Sequence, residues 1–108
     1  MPHYLVQGGY APETWARLMR SPEDREAAVR GQVDKVGGKL ETLYFSFGQD
    51  DFVAIVDMPD NASAAALAVA VASTGAYRNF RTTPLITNQE MTEVTRRAGQ
   101  IQWRAPGV

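Results

Sequence analysis

Hydrophobic and polar positions along this chain change period several times, and each change predicts an element. His3 to Gln7, centred on Tyr4, Leu5 and Val6, reads as a first strand stopped by Gly8-Gly9. Pro12 to Arg20 reads as a brief helix with Trp15, Leu18 and Met19 along one side. Ser21-Pro22-Glu23-Asp24 then places an N-cap hydroxyl before a proline at the first helical position, with acids near the positive end of the dipole. The helix it opens carries Val29, Val33 and Val36 on one stripe, and Gly37-Gly38 supplies a left-handed stop.

Leu40 to Phe47 alternates, with Leu43, Phe45 and Phe47 on one face and Tyr44 and Ser46 on the other, which predicts a half-buried strand. Residues 48–51 turn the chain into Phe52 to Val56, a run apolar on both faces and therefore central. Asp60 or Asn61 caps an alanine-rich helix that runs to about Thr74 and ends at Gly75. Tyr77 to Ile86 is a fourth strand, placed at an edge because Pro84 has no N–H for a ladder. Thr87 and Glu90 have the capping-box spacing before a short helix over about 88–98, and 99–108 is a tail with one large aromatic, Trp103.

The order of strand, helix, strand, strand, helix, strand predicts an α+β, ferredoxin-like βαββαβ fold with a four-stranded antiparallel sheet. Its two crossover helices cover one face only. Because the third strand is apolar on both faces, a second copy is the simplest cover for the other face. The expectation is a two-fold homodimer, a dimeric α+β barrel.

Length and composition narrow the chemistry. The chain has 108 residues, 44% hydrophobic and 21% charged, enough for one domain over 1–98 with the tail beyond it. It has no cysteine and one histidine, which excludes thiolate sites, a Cys nucleophile and a multi-His metal site; no metal or cofactor is expected. No apolar run approaches the roughly 20 residues that span a bilayer, and the opening residues lack a secretory pattern, so a cytoplasmic protein is expected, without a membrane partner. Residues 78–108 are mildly basic, yet their five arginines are dispersed, and nucleic-acid binding is not expected.

Each candidate site residue has a plain reading beside a functional one. Asp50 and Asp51 read as turn residues or as a carboxylate pair; of the two, Asp51 is the candidate base, because it opens the central strand where burial raises a carboxyl pKa. His3, the one side chain that titrates near neutrality, reads as a solvated residue near the terminus, a proton shuttle or a haem ligand. Tyr10 and Trp15 flank Pro12 and read as helix packing or as an aromatic lid. Tyr77, Asn79, Arg81 and Thr83 form a polar row on the fourth strand, either an edge facing solvent or a partner, or a pocket wall with Arg81 as a carboxylate clamp. Arg25 reads as an ion-pair partner, and Ser46 has no histidine to activate it.

Several spacings taken together resemble the GYD domain family of small bacterial proteins, itself similar to dimeric α+β barrel proteins. They are Tyr4 to Val6 leading into Tyr10, Ser21-Pro22 with Arg25, Gly37-Gly38-Lys39-Leu40, Tyr44 ahead of Gly48, Asp51-Phe52-Val53, Pro59-Asp60, Gly75, and Arg81-Thr82. At the motif that names the family, Asp50 stands where a tyrosine is expected, and the following aspartate is present as Asp51. The resemblance implies fold more than activity, since related barrels include cofactor-free oxygenases, isomerases, dehydratases and haem proteins. The expected function is a homo-oligomer that binds a small organic ligand between sheet and helices. Tyr4, Tyr10, Trp15 and Tyr44 are its ligand-binding residues, and Asp51, His3 and Arg81 carry any cofactor-independent oxygenase or isomerase chemistry. The alternative is a non-catalytic assembly or regulatory module acting through its tail and fourth strand.

Overall fold

The computed structural model describes residues 1–108. Its elements are β1 (His3–Tyr10), α1 (Pro12–Arg20), α2 (Arg25–Lys35), β2 (Lys39–Phe45), β3 (Phe52–Asp57), α3 (Asn61–Ala72), β4 (Tyr77–Leu85) and α4 (Asn88–Ala98). The strands form one antiparallel sheet in the order β2-β3-β1-β4, the ferredoxin-like arrangement, with β4 at an edge. No helix is long and apolar enough to cross a membrane.

The core lies between the sheet and helices α2 and α3. Phe52, Ala54 and Val56 of β3 alternate toward the helices with Tyr4 and Val6 of β1, and Val33, Leu40, Met58 and Ala64 close around them. Val53, Ile55 and Asp57 project to the opposite, uncovered face, beside His3, Leu5 and Gln7 of β1. Only 13 of 108 residues are buried, while Tyr44 and Trp103 remain 68% and 84% exposed, so much of the large apolar surface lies outside the core. The chain extends 58 × 33 × 23 Å with a radius of gyration of 17.5 Å, against roughly 13 Å for a compact chain of this length. The difference comes from α4 and the tail. No residue of α4 is buried, and it packs on the sheet in nothing like the way α3 packs on β4.

Several local expectations are corrected. Gly8-Gly9 does not stop the first strand, which continues to Tyr10 in pairing with β4. A Cβ on Gly8 would stand 2.5 Å from the Asn79 carbonyl oxygen, so Gly8 permits close strand approach, whereas one on Gly9 would meet only the movable Arg78 guanidinium. Helix α2 is capped by Asp24, whose carboxylate accepts the Ala27 N–H at 3.1 Å; Ser21 instead closes α1, its N–H donating to the Arg17 carbonyl. In α1 the buried position is Thr14, which donates to the Ala76 carbonyl at 2.7 Å, and Met19 faces solvent, as does Val36 after α2. The left-handed stop is Gly37, with φ 81°.

Two bulges alter strand phase. Strand β2 ends at Phe45, leaving Phe47 in the turn, and it carries an extra residue, Glu41, between Leu40 and Thr42. In β4, Tyr10 pairs with Tyr77 and Gly9 with Asn79, so Arg78 is extra. Tyr77 consequently packs with Phe80 on the helix side, while Asn79, Arg81 and Thr83 keep the row expected on the open face.

Candidate functional site

The sheet separates the candidate residues into two groups, one on the helix side and one on the open face. On the helix side α2 and α3 leave a cavity of about 80 Å³ above β3, on a scale where one water takes roughly 10–15 Å³. Twelve of its fourteen lining residues are hydrophobic, among them Val29, Phe52, Leu67 and Phe80; the exceptions are Arg25 and Gln32. Tyr10, Arg25 and Tyr77 also line a more polar cleft of about 310 Å³ with Thr14, Arg17 and Glu23, so these three residues stand between the outer cleft and the apolar interior.

Arg25 is placed there because it occupies the first turn of α2, one turn before Val29 and two before Gln32 and Val33 on the stripe that faces the sheet. One guanidinium nitrogen reaches Glu23 at 3.3 Å, while its Nε is buried without a hydrogen-bond partner. Burial opposes its charge, but the Tyr10 and Tyr77 oxygens and Glu23 outweigh that and raise its pKa. Burial, reinforced by Tyr10, pushes the Tyr77 phenol up against the opposing effect of Arg25, so Tyr77 stays a neutral donor at physiological pH. Aromatic contacts fix this wall: Tyr10 meets Trp15 edge-on at 5.0 Å, Phe52 at 5.4 Å and Tyr77 at 5.3 Å.

The other predicted residues of this side have local partners. Tyr4 is 2% exposed and donates to Asn61 Oδ1 at 2.5 Å, tying β1 to the start of α3 outside the cavity. Trp15 packs on the outer edge of Tyr10 and donates from Nε1 to Asp51 at 3.1 Å. Asp51 also accepts the Tyr10 backbone N–H at 2.9 Å and pairs with Arg78 at 3.2 Å. Its pKa is not raised as a base at this position would need: burial acts upward, but those three donors outweigh it and hold the carboxyl below the ordinary range. Asp51 thus ties β1, α1 and β4 together.

His3, Tyr44 and Arg81 lie on the open face, away from Tyr4 and Tyr10. The Arg81 guanidinium is already engaged by Asp50, which also accepts from Asn79 Nδ2 at 3.0 Å. At the far end of the same face His3 Nδ1 faces two carboxylates, Asp57 Oδ1 at 2.5 Å and Glu41 Oε2 at 3.0 Å. The Asp57 hydrogen bond, with Glu41 behind it, raises the His3 pKa; burial works against Asp57 ionising, but hydrogen bonds from the Glu41 carboxyl and from His3, with the positive charge of the chain's N-terminus nearby, lower its pKa.

Sequence reasoning missed Arg25 as a lining residue, and Glu41 and Asp57 altogether, and it placed Tyr77 in a pocket wall on the opposite face of β4. The spacing of Arg25 and Gln32 to Val29 and Val33 was a usable signal; the bulges that re-aim Tyr77 and Glu41 leave none in an alternation pattern.

The family profile describing the GYD domain matches residues 4–95, and the chain belongs to the GYD domain family. No curated protein and no solved structure matches the chain.

Proposed function

We propose that this member of the GYD domain family binds a small organic anion between sheet and helices, its apolar body in the cavity above β3 and its anionic head against Arg25, Tyr10 and Tyr77. One observation carries this reading: a guanidinium with a buried, unpartnered Nε stands at the mouth of a cavity whose lining is otherwise apolar but for Gln32. A buried donor without an acceptor costs about 1–3 kcal/mol, and a ligand oxygen supplies the acceptor. The cavity lining holds no carboxylate and no imidazole. The carboxylate nearest the mouth, Glu23, is paired with Arg25, and the reading proposed is binding. The proposed working unit is a homodimer in which a second copy covers Leu5, Val53 and Ile55 on the open face.

Native and denaturing mass spectra of the protein purified from cells test this directly. A dimer whose extra mass disappears on denaturation supports the reading and supplies the ligand. Benzoate and cyclohexanecarboxylate then serve as probes, titrated by the fluorescence of Trp15 in a Trp103→Phe background. Arg25→Met should weaken binding at least tenfold while keeping the fold. Equal binding by the variant removes the proposed anion site.

A second reading rests on a different observation. Helix α4 and the tail stand off the body with Met91, Val94, Ile101 and Trp103 exposed, as an assembly arm would. Deleting residues 99–108 separates the two: loss of oligomer with ligand binding intact assigns assembly to the arm, and unchanged mass removes that role.

A further inference from the structure

We propose that His3, Glu41 and Asp57 form a binding site for one divalent first-row transition-metal ion on the open face of the sheet. Three strands bring the ligands together. His3 of β1 lies directly across from Asp57 of β3, and the bulge in β2 inserts Glu41 beside them. One ligand atom from each residue lies within 4.8 Å of the other two. Around an ion held at roughly 2.1 Å, donor atoms stand about 3–3.4 Å apart, so Glu41 at 3.0 Å is near its place and Asp57, at 2.5 Å, moves back from His3 by less than about 1 Å when the ion enters.

Proton counting favours a cation over a simple hydrogen-bonded pair. A His–carboxylate dyad needs one acceptor on one ring nitrogen. Here two carboxyl groups converge on the same Nδ1, which has one proton to give, so without a cation the three groups close on one another only if one carboxyl also keeps a proton. A divalent ion in place of both protons accepts lone pairs from all three atoms and balances both carboxylate charges. Asp57 is 13% exposed and His3 and Glu41 are 34% and 39% exposed, so the ion keeps positions open to water on the solvent side. Mixed imidazole and carboxylate donors suit zinc, manganese, iron, cobalt or nickel and disfavour magnesium and calcium.

His3 is the only histidine in the chain, so its imidazole nitrogen resonances report the site without overlap. The full-length protein is dialysed against micromolar Zn²⁺, bound metal is counted by elemental analysis, and the His3 ¹⁵N shifts are recorded. The expected result is one ion per chain with the Nδ1 resonance moved to the metal-bound range. Glu41→Gln and Asp57→Asn should each weaken binding at least tenfold, with unchanged circular dichroism confirming the fold. No bound zinc, zinc that leaves the Nδ1 resonance in place, or equal uptake by both variants overturns the proposal; the first two results leave His3 in a hydrogen-bonded pair.

Discussion

Replacing Asp51 by Asn separates a structural tie from a catalytic base. The carboxylate receives the Tyr10 N–H and the Trp15 indole on Oδ2 and Arg78 on Oδ1. An amide placed to keep the first two bonds turns its NH₂ toward Arg78. Hydrogen bonds to a charged acceptor contribute roughly 1 kcal/mol more than neutral ones, so two of them lose about 2 kcal/mol. The ion pair adds no more than about 1 kcal/mol, because Arg78 is 42% exposed and screened. The expected loss is about 2–3 kcal/mol, or a fall of roughly 10–20 °C in Tm for a domain of this size. The folded-state pKa of Asp51 is depressed. Its contribution is therefore complete above the unfolded value of about 3.9 and is lost as pH falls through the lower folded value. Thermal unfolding of wild type and variant at pH 7 and in increasing acid checks both parts: a wide gap at neutrality that narrows in acid. A Tm within 3 °C of wild type at pH 7, or a gap that widens in acid, refutes the reasoning.

Two further substitutions probe the fold around the candidate site. Gly8→Ala drives a methyl group into the Asn79 carbonyl and should cost about 1–3 kcal/mol, read as a lower urea midpoint; an unchanged midpoint contradicts the close approach of β1 and β4. Arg81→Met removes a half-exposed ion pair with Asp50 and should change stability by less than about 1 kcal/mol, whereas a larger loss in urea unfolding would give that pair a structural weight its exposure argues against.

Much of the fold was legible because each element obeys one local rule. Asp60 and Thr87 cap α3 and α4 as their sequence pattern requires, with the full capping box at Thr87 and Glu90, and Gly37 and Gly75 take the left-handed turns. Pro84 correctly marked an edge strand. What escaped depends on contacts between distant segments. Gly8-Gly9 looks like a stop until Asn79 and Arg78 are known to press on it. A period-two pattern cannot show that an inserted residue has reversed phase, so Tyr77 was assigned to the wrong face. The candidate site was legible in its parts and not in its grouping. Tyr10 lines the cavity, but Tyr44 and Arg81 belong to the opposite face, and the charge at the cavity is Arg25.

The proposed dimer and the proposed metal site share the open face, and that makes them one thermodynamic system. A second copy covering Leu5, Val53 and Ile55 also strips water from the edge of the His3, Glu41 and Asp57 cluster, two of whose residues lie on the same strands, β1 and β3. Two carboxylates so placed lose hydration that a single imidazole proton does not replace, and a divalent ion compensates it. Ions that ease association are themselves held more tightly by the dimer, the two ions of a dimer together gaining the factor by which its Kd falls, since both effects are one coupling free energy. At a typical coupling of about 1–3 kcal/mol the dimer Kd falls roughly 5- to 150-fold when the metal binds. Sedimentation of the wild type should show that tightening with Zn²⁺, and Glu41→Gln should abolish it. A dimer constant indifferent to Zn²⁺ in a protein that binds one ion per chain would mean that the interface leaves the cluster hydrated, and so lies elsewhere on the molecule.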